Sequence, residues 1–89
     1  MIKSNFFNCY YLKNGISNVR LGIVVSKKIG NSVVRNYEKR TIREIFRKLI
    51  PTFKASFDLI FILKKSDIAF FEKEKVFIEL IRQIEKRLL

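Results

Sequence analysis

The stretch Arg20-Leu-Gly-Ile-Val-Val-Ser-Lys-Lys-Ile-Gly-Asn-Ser-Val-Val-Arg-Asn-Tyr-Glu-Lys-Arg-Thr-Ile-Arg-Glu-Ile-Phe-Arg47 changes hydrophobic period in its middle. Up to Ser26, Leu21, Ile23 and Val25 alternate with Arg20, Gly22, Val24 and Ser26, a strand with the first set toward the core. Lys27 to Asn31 is a basic turn containing Gly30. From Val33 the spacing becomes helical: Val34, Thr41, Ile42, Ile45, Phe46 and Leu49 make one apolar stripe. Asn31 or Ser32 supplies the side-chain oxygen that caps this helix. Glu44, four residues before Lys48, adds a small helical bias. Pro51 ends the helix, because the residue before a proline is pushed out of the α region.

Working outward, Phe6 to Leu12 reads as another strand. Phe7, Cys9 and Tyr11 share one face, and Phe6, Asn8, Tyr10 and Leu12 the other. Asn14-Gly15 marks a turn, so these first two strands are expected to form an antiparallel hairpin with a loop of about seven residues, longer than usual. Phe57 to Leu63 is nearly all apolar and reads as a central strand covered on both faces. Lys64 to Asp67 is a polar turn. A second helix occupies Phe71 to Leu88, with Phe77, Leu80, Ile81, Ile84 and Leu88 as its buried stripe. It carries five basic and four acidic residues, which marks it as packing rather than binding. The expected fold is α+β: a single small two-layer domain over residues 1–89, with three strands evident, mostly antiparallel, packed by two helices.

Charge narrows the function. Residues 20–48 hold nine Arg or Lys and two Glu, net +7, and the other 60 residues hold ten basic and six acidic groups, net +4. Focusing of this kind favours a polyanionic partner, nucleic acid first. Cys9 is the only cysteine and there is no histidine, which removes disulfides and zinc-finger chemistry. No apolar run reaches the roughly 20 residues that span a bilayer, and Met1 to Asn8 lacks the apolar stretch of a signal peptide. The reading is a cytoplasmic protein with no membrane partner. A basic amphipathic helix can also lie on an acidic membrane, but here the apolar stripe is needed by a small core.

On the basic helix, Arg35, Lys39, Arg43 and Arg47 recur every four residues, with Asn36 and Arg40 alongside. Arginine's planar fork matches phosphate oxygens bidentately, and Asn36 can donate to a phosphate or read a base edge. Lys27 and Lys28 precede a helix N-terminus, whose free N–H groups and dipole favour anions. Gly30 would let backbone approach the ligand. Among the first-strand aromatics, Tyr10 is the one assigned to an open side, where a ring can stack on an unpaired base. No self-contained catalytic set is present: Glu38 and Glu44 point to different sides of their helix, Asp58 and Asp67 are isolated, and a two-metal carboxylate cluster is missing. The residues leave three readings open: a binder of a structured RNA, a basic structural interaction module, and an autonomous nuclease.

The Gly-containing strand, the Ser-Lys-Lys-Ile-Gly-Asn turn and the Arg-Asn-x-x-Lys-Arg-x-x-Arg helix together resemble the protein subunit of bacterial ribonuclease P, most densely over Arg20 to Arg47 and more loosely from Phe6 to the second helix. The resemblance implies a noncatalytic subunit that binds the ribonuclease P RNA and assists removal of the 5′ leader from precursor tRNA. The RNA would carry the chemistry with Mg²⁺ that no protein site holds. It implies a ribosomal-protein-like fold of mainly four strands with a left-handed βαβ crossover, the short fourth strand falling near Ile68 to Phe70. It implies RNA contacts from Lys27, Lys28, Arg35, Asn36, Lys39, Arg40, Arg43 and Arg47, and a leader-binding cleft lined by Phe6, Asn8 and Tyr10. Two departures stand out. Tyr37 occupies a position that is usually arginine. The family also has a helix ahead of the first strand, whereas this sequence starts almost at that strand, which implies a naturally short or truncated member, or a fragment, with its cleft open on one side.

Overall fold

The computed structural model describes residues 1–16, 18–65 and 69–89. The elements run β1 (Ile2–Lys3), β2 (Phe7–Lys13), β3 (Arg20–Val25), α1 (Ser32–Leu49), β4 (Phe57–Leu63) and α2 (Phe70–Leu88), with 3-10 turns at Lys27–Ile29 and Ile50–Thr52. The four strands make one sheet in the order β1-β2-β4-β3. β1 and β4 each pair antiparallel with β2, and β3 pairs parallel with β4. The α+β architecture with a mostly antiparallel sheet and two helices is as expected.

The pairing differs from the expected hairpin. β2 and β3 do not touch each other, because β4 lies between them. The reason is apolar demand. Phe57, Leu59, Phe61 and Leu63 are all buried, and an edge position would leave that row half uncovered. The segment after β2 is instead held by side chains. Gly15 takes φ 70°, Asn14 Oδ1 accepts from the Ile16 N–H, and Asn14 Nδ2 donates to the Asn18 carbonyl and to Asp58 Oδ1. Arg20 then forks onto both oxygens of Asp58 at 2.7 and 2.6 Å, which fixes the parallel β3–β4 register at its first residue pair. These hydrogen bonds, Arg20 first and Asn14 second, hold the Asp58 carboxyl below the usual carboxylate range.

β4 is central but covered on one face only. Its alternate residues Asp58, Ile60 and Ile62 are half-buried or exposed, because both helices pack on the other side. There two runs of rings tie the layers. Phe7, Phe61 and Phe77 stack at 4.8 and 4.6 Å, linking β2, β4 and α2. Phe46, Phe53 and Phe57 meet at 5.4 and 5.8 Å, linking α1, the segment after it, and β4. Each such buried ring contributes about 1.5–3 kcal/mol relative to exposure. The fourth strand is at Ile2–Lys3, not near Ile68 to Phe70: Phe70 opens α2, and Ile68 lies outside the described residues, as do Ser66 and Asp67 of the expected polar turn.

α1 starts where a cap is available. Asn31 is extended and its Oδ1 accepts from the Val34 N–H at 3.0 Å. A Cβ on Gly30 would sit 3.0 Å from Val34 Cβ and Cγ1, so this glycine makes room for the first turn of α1 rather than for a ligand. Pro51 falls in the 3-10 turn that replaces the helix after Leu49.

Candidate nucleic-acid interface

At roughly 100° per residue, Asn36, Arg40, Arg43 and Arg47 fall in one narrow strip of α1, opposite the buried Ile42, Ile45 and Phe46, and all four are exposed. Lys27 and Lys28 are exposed in the 3-10 turn that leads to the helix. Arg35 and Lys39 differ. They lie on the flank of α1 away from α2 and are half-buried. The Arg35 Nε is buried with no hydrogen-bond partner among the described residues. The sequence grouped Arg35 and Lys39 with Arg43 and Arg47 by their spacing of four, but four residues overshoot a 3.6-residue turn, so that row winds around the helix.

None of these cations is held by an acid. The two ion pairs among the described residues are Arg20–Asp58 and Lys73–Glu38. The second could not be read from sequence. Glu38 on α1 and Lys73 on α2 are both buried and meet at 2.7 Å, which removes the one acid that would otherwise stand within the α1 binding segment ahead of Arg40. Each residue alone reads as surface, and only the docking of the helices brings them inside.

The second surface is the uncovered face of the sheet. Register places Lys3, Asn8, Ile62 and Val24 side by side in one row, Tyr10, Ile60 and Gly22 in the next, and Leu12, Asp58 and Arg20 in the third. Tyr10 is 46% exposed and Ile60 48%. Gly22 carries no side chain beside Ile60, so the middle row is a shallow trough with Tyr10 as one wall. Asn8 Oδ1, in the row next to Lys3, is buried with no partner among the described residues. Asn8 and Tyr10 thus share the open face as expected, and Lys3, Val24 and Ile60 join them. Those three were missed because the pairing order had to be known before their rows could be drawn.

Phe6 is not on that face. The Ser4 hydroxyl accepts from the N–H groups of Phe6 and Phe7, and the Ser4 N–H donates to the Phe7 carbonyl. This turn breaks the strand alternation just before Phe7. Phe6 therefore packs on the helix side, where it lines a groove of about 390 Å³ with Ile2, Val76 and Leu80. The α1 strip and the open sheet face point away from the core on opposite sides, so they are two surfaces rather than one. Among the described residues no three His, Cys, Asp or Glu gather to hold a metal ion, and Glu38 and Asp58 are each committed to a cation. No described helix is long and apolar enough to cross a membrane.

The fold recurs in known proteins. The chain is 31% identical to the RNase P protein from Thermotoga maritima, whose structure superposes with a TM-score of 0.84 over 92% of this chain and 80% of that one. The Staphylococcus aureus RNase P protein is 35% identical, with a TM-score of 0.76 over 96% of this chain and 79% of the other. Among sequences, a ribonuclease P protein component of Thermoanaerobacter sp. (strain X514) is 43% identical over 71% of this chain; the match spans about half of that relative's length (54%). The Thermotoga petrophila component is 33% identical over 94% of this chain and 77% of its own length. The model of the family described as Ribonuclease P matches residues 1–85, and the chain belongs to that family.

Proposed function

We propose that this chain is the RNA-binding protein subunit of ribonuclease P, acting with a catalytic RNA in hydrolytic removal of the 5′ leader from precursor tRNA. The observation that carries this reading is the exposed strip Asn36–Arg40–Arg43–Arg47, free of ion pairs among the described residues, in a member of this family. The strip binds phosphates of the catalytic RNA, with Lys27 and Lys28 extending it toward the start of α1. Neutralising those phosphates offsets the repulsion between catalytic RNA and substrate.

The open sheet face takes the leader. Tyr10 offers a ring and Ile60 apolar area to bases, and Lys3 offers charge. Mg²⁺ belongs with the RNA in this reading. In this reading the reacting groups are those of the RNA, and the protein contributes binding and orientation, in the cytoplasm where tRNA is matured.

The test is reconstitution. Adding the chain to its cognate catalytic RNA at low Mg²⁺ is expected to restore precursor cleavage that the RNA alone performs poorly, and the Arg40→Gln/Arg43→Gln double variant is expected to lose most of that rescue. Tight RNA binding without rescue would instead assign the chain to another structured RNA. Cleavage by the protein without RNA would mark an autonomous nuclease.

A further inference from the structure

Three exposed rings lie outside the core, Tyr37 on α1 and Phe70 and Phe71 at the start of α2. Tyr37 is 51% exposed, Phe70 37% and Phe71 58%. A lysine ammonium lies over each: Lys73 Nζ is 5.7 Å from the Tyr37 centroid, Lys48 Nζ 5.5 Å from Phe70, and Lys75 Nζ 5.3 Å from Phe71. Tyr37 and Lys48 share the flank of α1 that faces α2, and Lys73 follows Phe70 by one helical turn. The contacts Tyr37–Lys73 and Lys48–Phe70 thus each cross between α1 and α2, and Phe71–Lys75 is a third pair within α2.

Two consecutive phenylalanines at a helix start, neither packed into the hydrophobic cluster, are not explained by the fold. The buried stripe of α2 takes up its apolar residues from Phe77 onward. Nor is the patch a simple cationic surface, since Glu44, Glu72 and Glu74 stand among the lysines. What sets it apart is flat π area with fixed positive charge next to it. The buried Glu38 carboxylate fixes Lys73, and Lys73 in turn fixes the Tyr37 ring, so the surface is ordered before any ligand arrives.

Resting on the RNA-binding reading above, we infer that Tyr37, Phe70 and Phe71 form a stacking surface for unpaired nucleotides of the RNA whose phosphates run along Arg40, Arg43 and Arg47. Aromatic faces accept any base, and the exposed ammonium groups of Lys48 and Lys75 hold the connecting phosphates, whereas Lys73 is buried on Glu38 and serves only to order the Tyr37 ring. The charge of the neighbouring strip selects a polyanion over an apolar peptide as the occupant.

The chain has no tryptophan, so a Phe71→Trp variant carries a single reporter at this surface. Its emission is expected to be quenched saturably by single-stranded oligoadenylate and by the catalytic RNA. In parallel, Tyr37→Leu and Phe71→Leu are expected to weaken binding by about tenfold per ring while leaving the salt dependence unchanged, with circular dichroism confirming the fold. Unchanged Trp emission at saturation, with Leu variants binding like the parent while Arg40→Gln/Arg43→Gln loses affinity, overturns the stacking surface and leaves the RNA-binding reading standing. If the arginine variant also binds like the parent, both readings fall. Leu variants that only abolish self-association would make the patch a protein contact and overturn the inference as well.

Discussion

Cys9 shows what the fold does to a single side chain. It faces the helix layer from β2, fully buried, with its Sγ 3.9 Å from the Tyr10 carbonyl. Burial pushes its thiol up to about 12, against a small opposing effect of the N-terminal amino group. The reactive species is the thiolate, so at mildly alkaline pH the group is both protonated and out of reach. An aromatic disulfide reagent is expected to label the native protein about a hundredfold more slowly than the urea-unfolded chain, since opening a core strand costs several kcal/mol. Labelling at comparable rates would place Cys9 outside the core. Its neighbour Tyr10 points the other way, and one step along a strand thus separates a sealed thiol from an open aromatic.

Between elements, the buried Glu38–Lys73 pair joins α1 to α2. Removing one partner strands a buried charge and is expected to cost about 3–5 kcal/mol, whereas replacing both with Met is expected to be close to neutral. Urea unfolding of Glu38→Gln, Lys73→Met and the Glu38→Met/Lys73→Met double variant reads this directly; additive losses in the double variant would show that the pair is not coupled. The pair also shows the limit of what a sequence makes legible. The helices, the strand over Arg20 to Val25 and the centrality of Phe57 to Leu63 were readable because their apolar periods are long and unbroken. The basic character of α1 was readable too, but the strip was not: a spacing of four joined Arg35 and Lys39 to Arg43 and Arg47, whereas the 3.6-residue turn joins Asn36 and Arg40 to them. The sheet order was not readable, since two strands that both seek an apolar neighbour say nothing of which third strand separates them. β1, at two residues, is too short to show a period. Phe6 was misplaced because the Ser4 hydroxyl resets the alternation one residue later than the aromatic run suggests. Glu38 and Lys73, 35 residues apart, carry no mark of each other.

Across the whole molecule, binding should be governed by charge. The chain carries +11, and its exposed α1 cations are free to release counterions when they meet phosphate. Affinity for the catalytic RNA is therefore expected to fall steeply with salt. In a titration of log K against log salt, Arg40→Gln/Arg43→Gln is expected to lower the slope by up to about 2, at 0.7–0.9 per phosphate contact. A parallel line shifted downward would mean that these two arginines act through structure and not through phosphate. The strand order carries a different consequence, for how the chain comes to be folded. β2 and β3 each wait for β4, which lies more than 30 residues beyond either of them. A growing chain halted after α1 holds a basic helix and a two-residue bridge, but no sheet for the helix to lie on. Assembly must therefore be late and concerted, limited by closure of long loops, and until Leu63 has left the ribosome the arginines meet RNA as an unanchored helix.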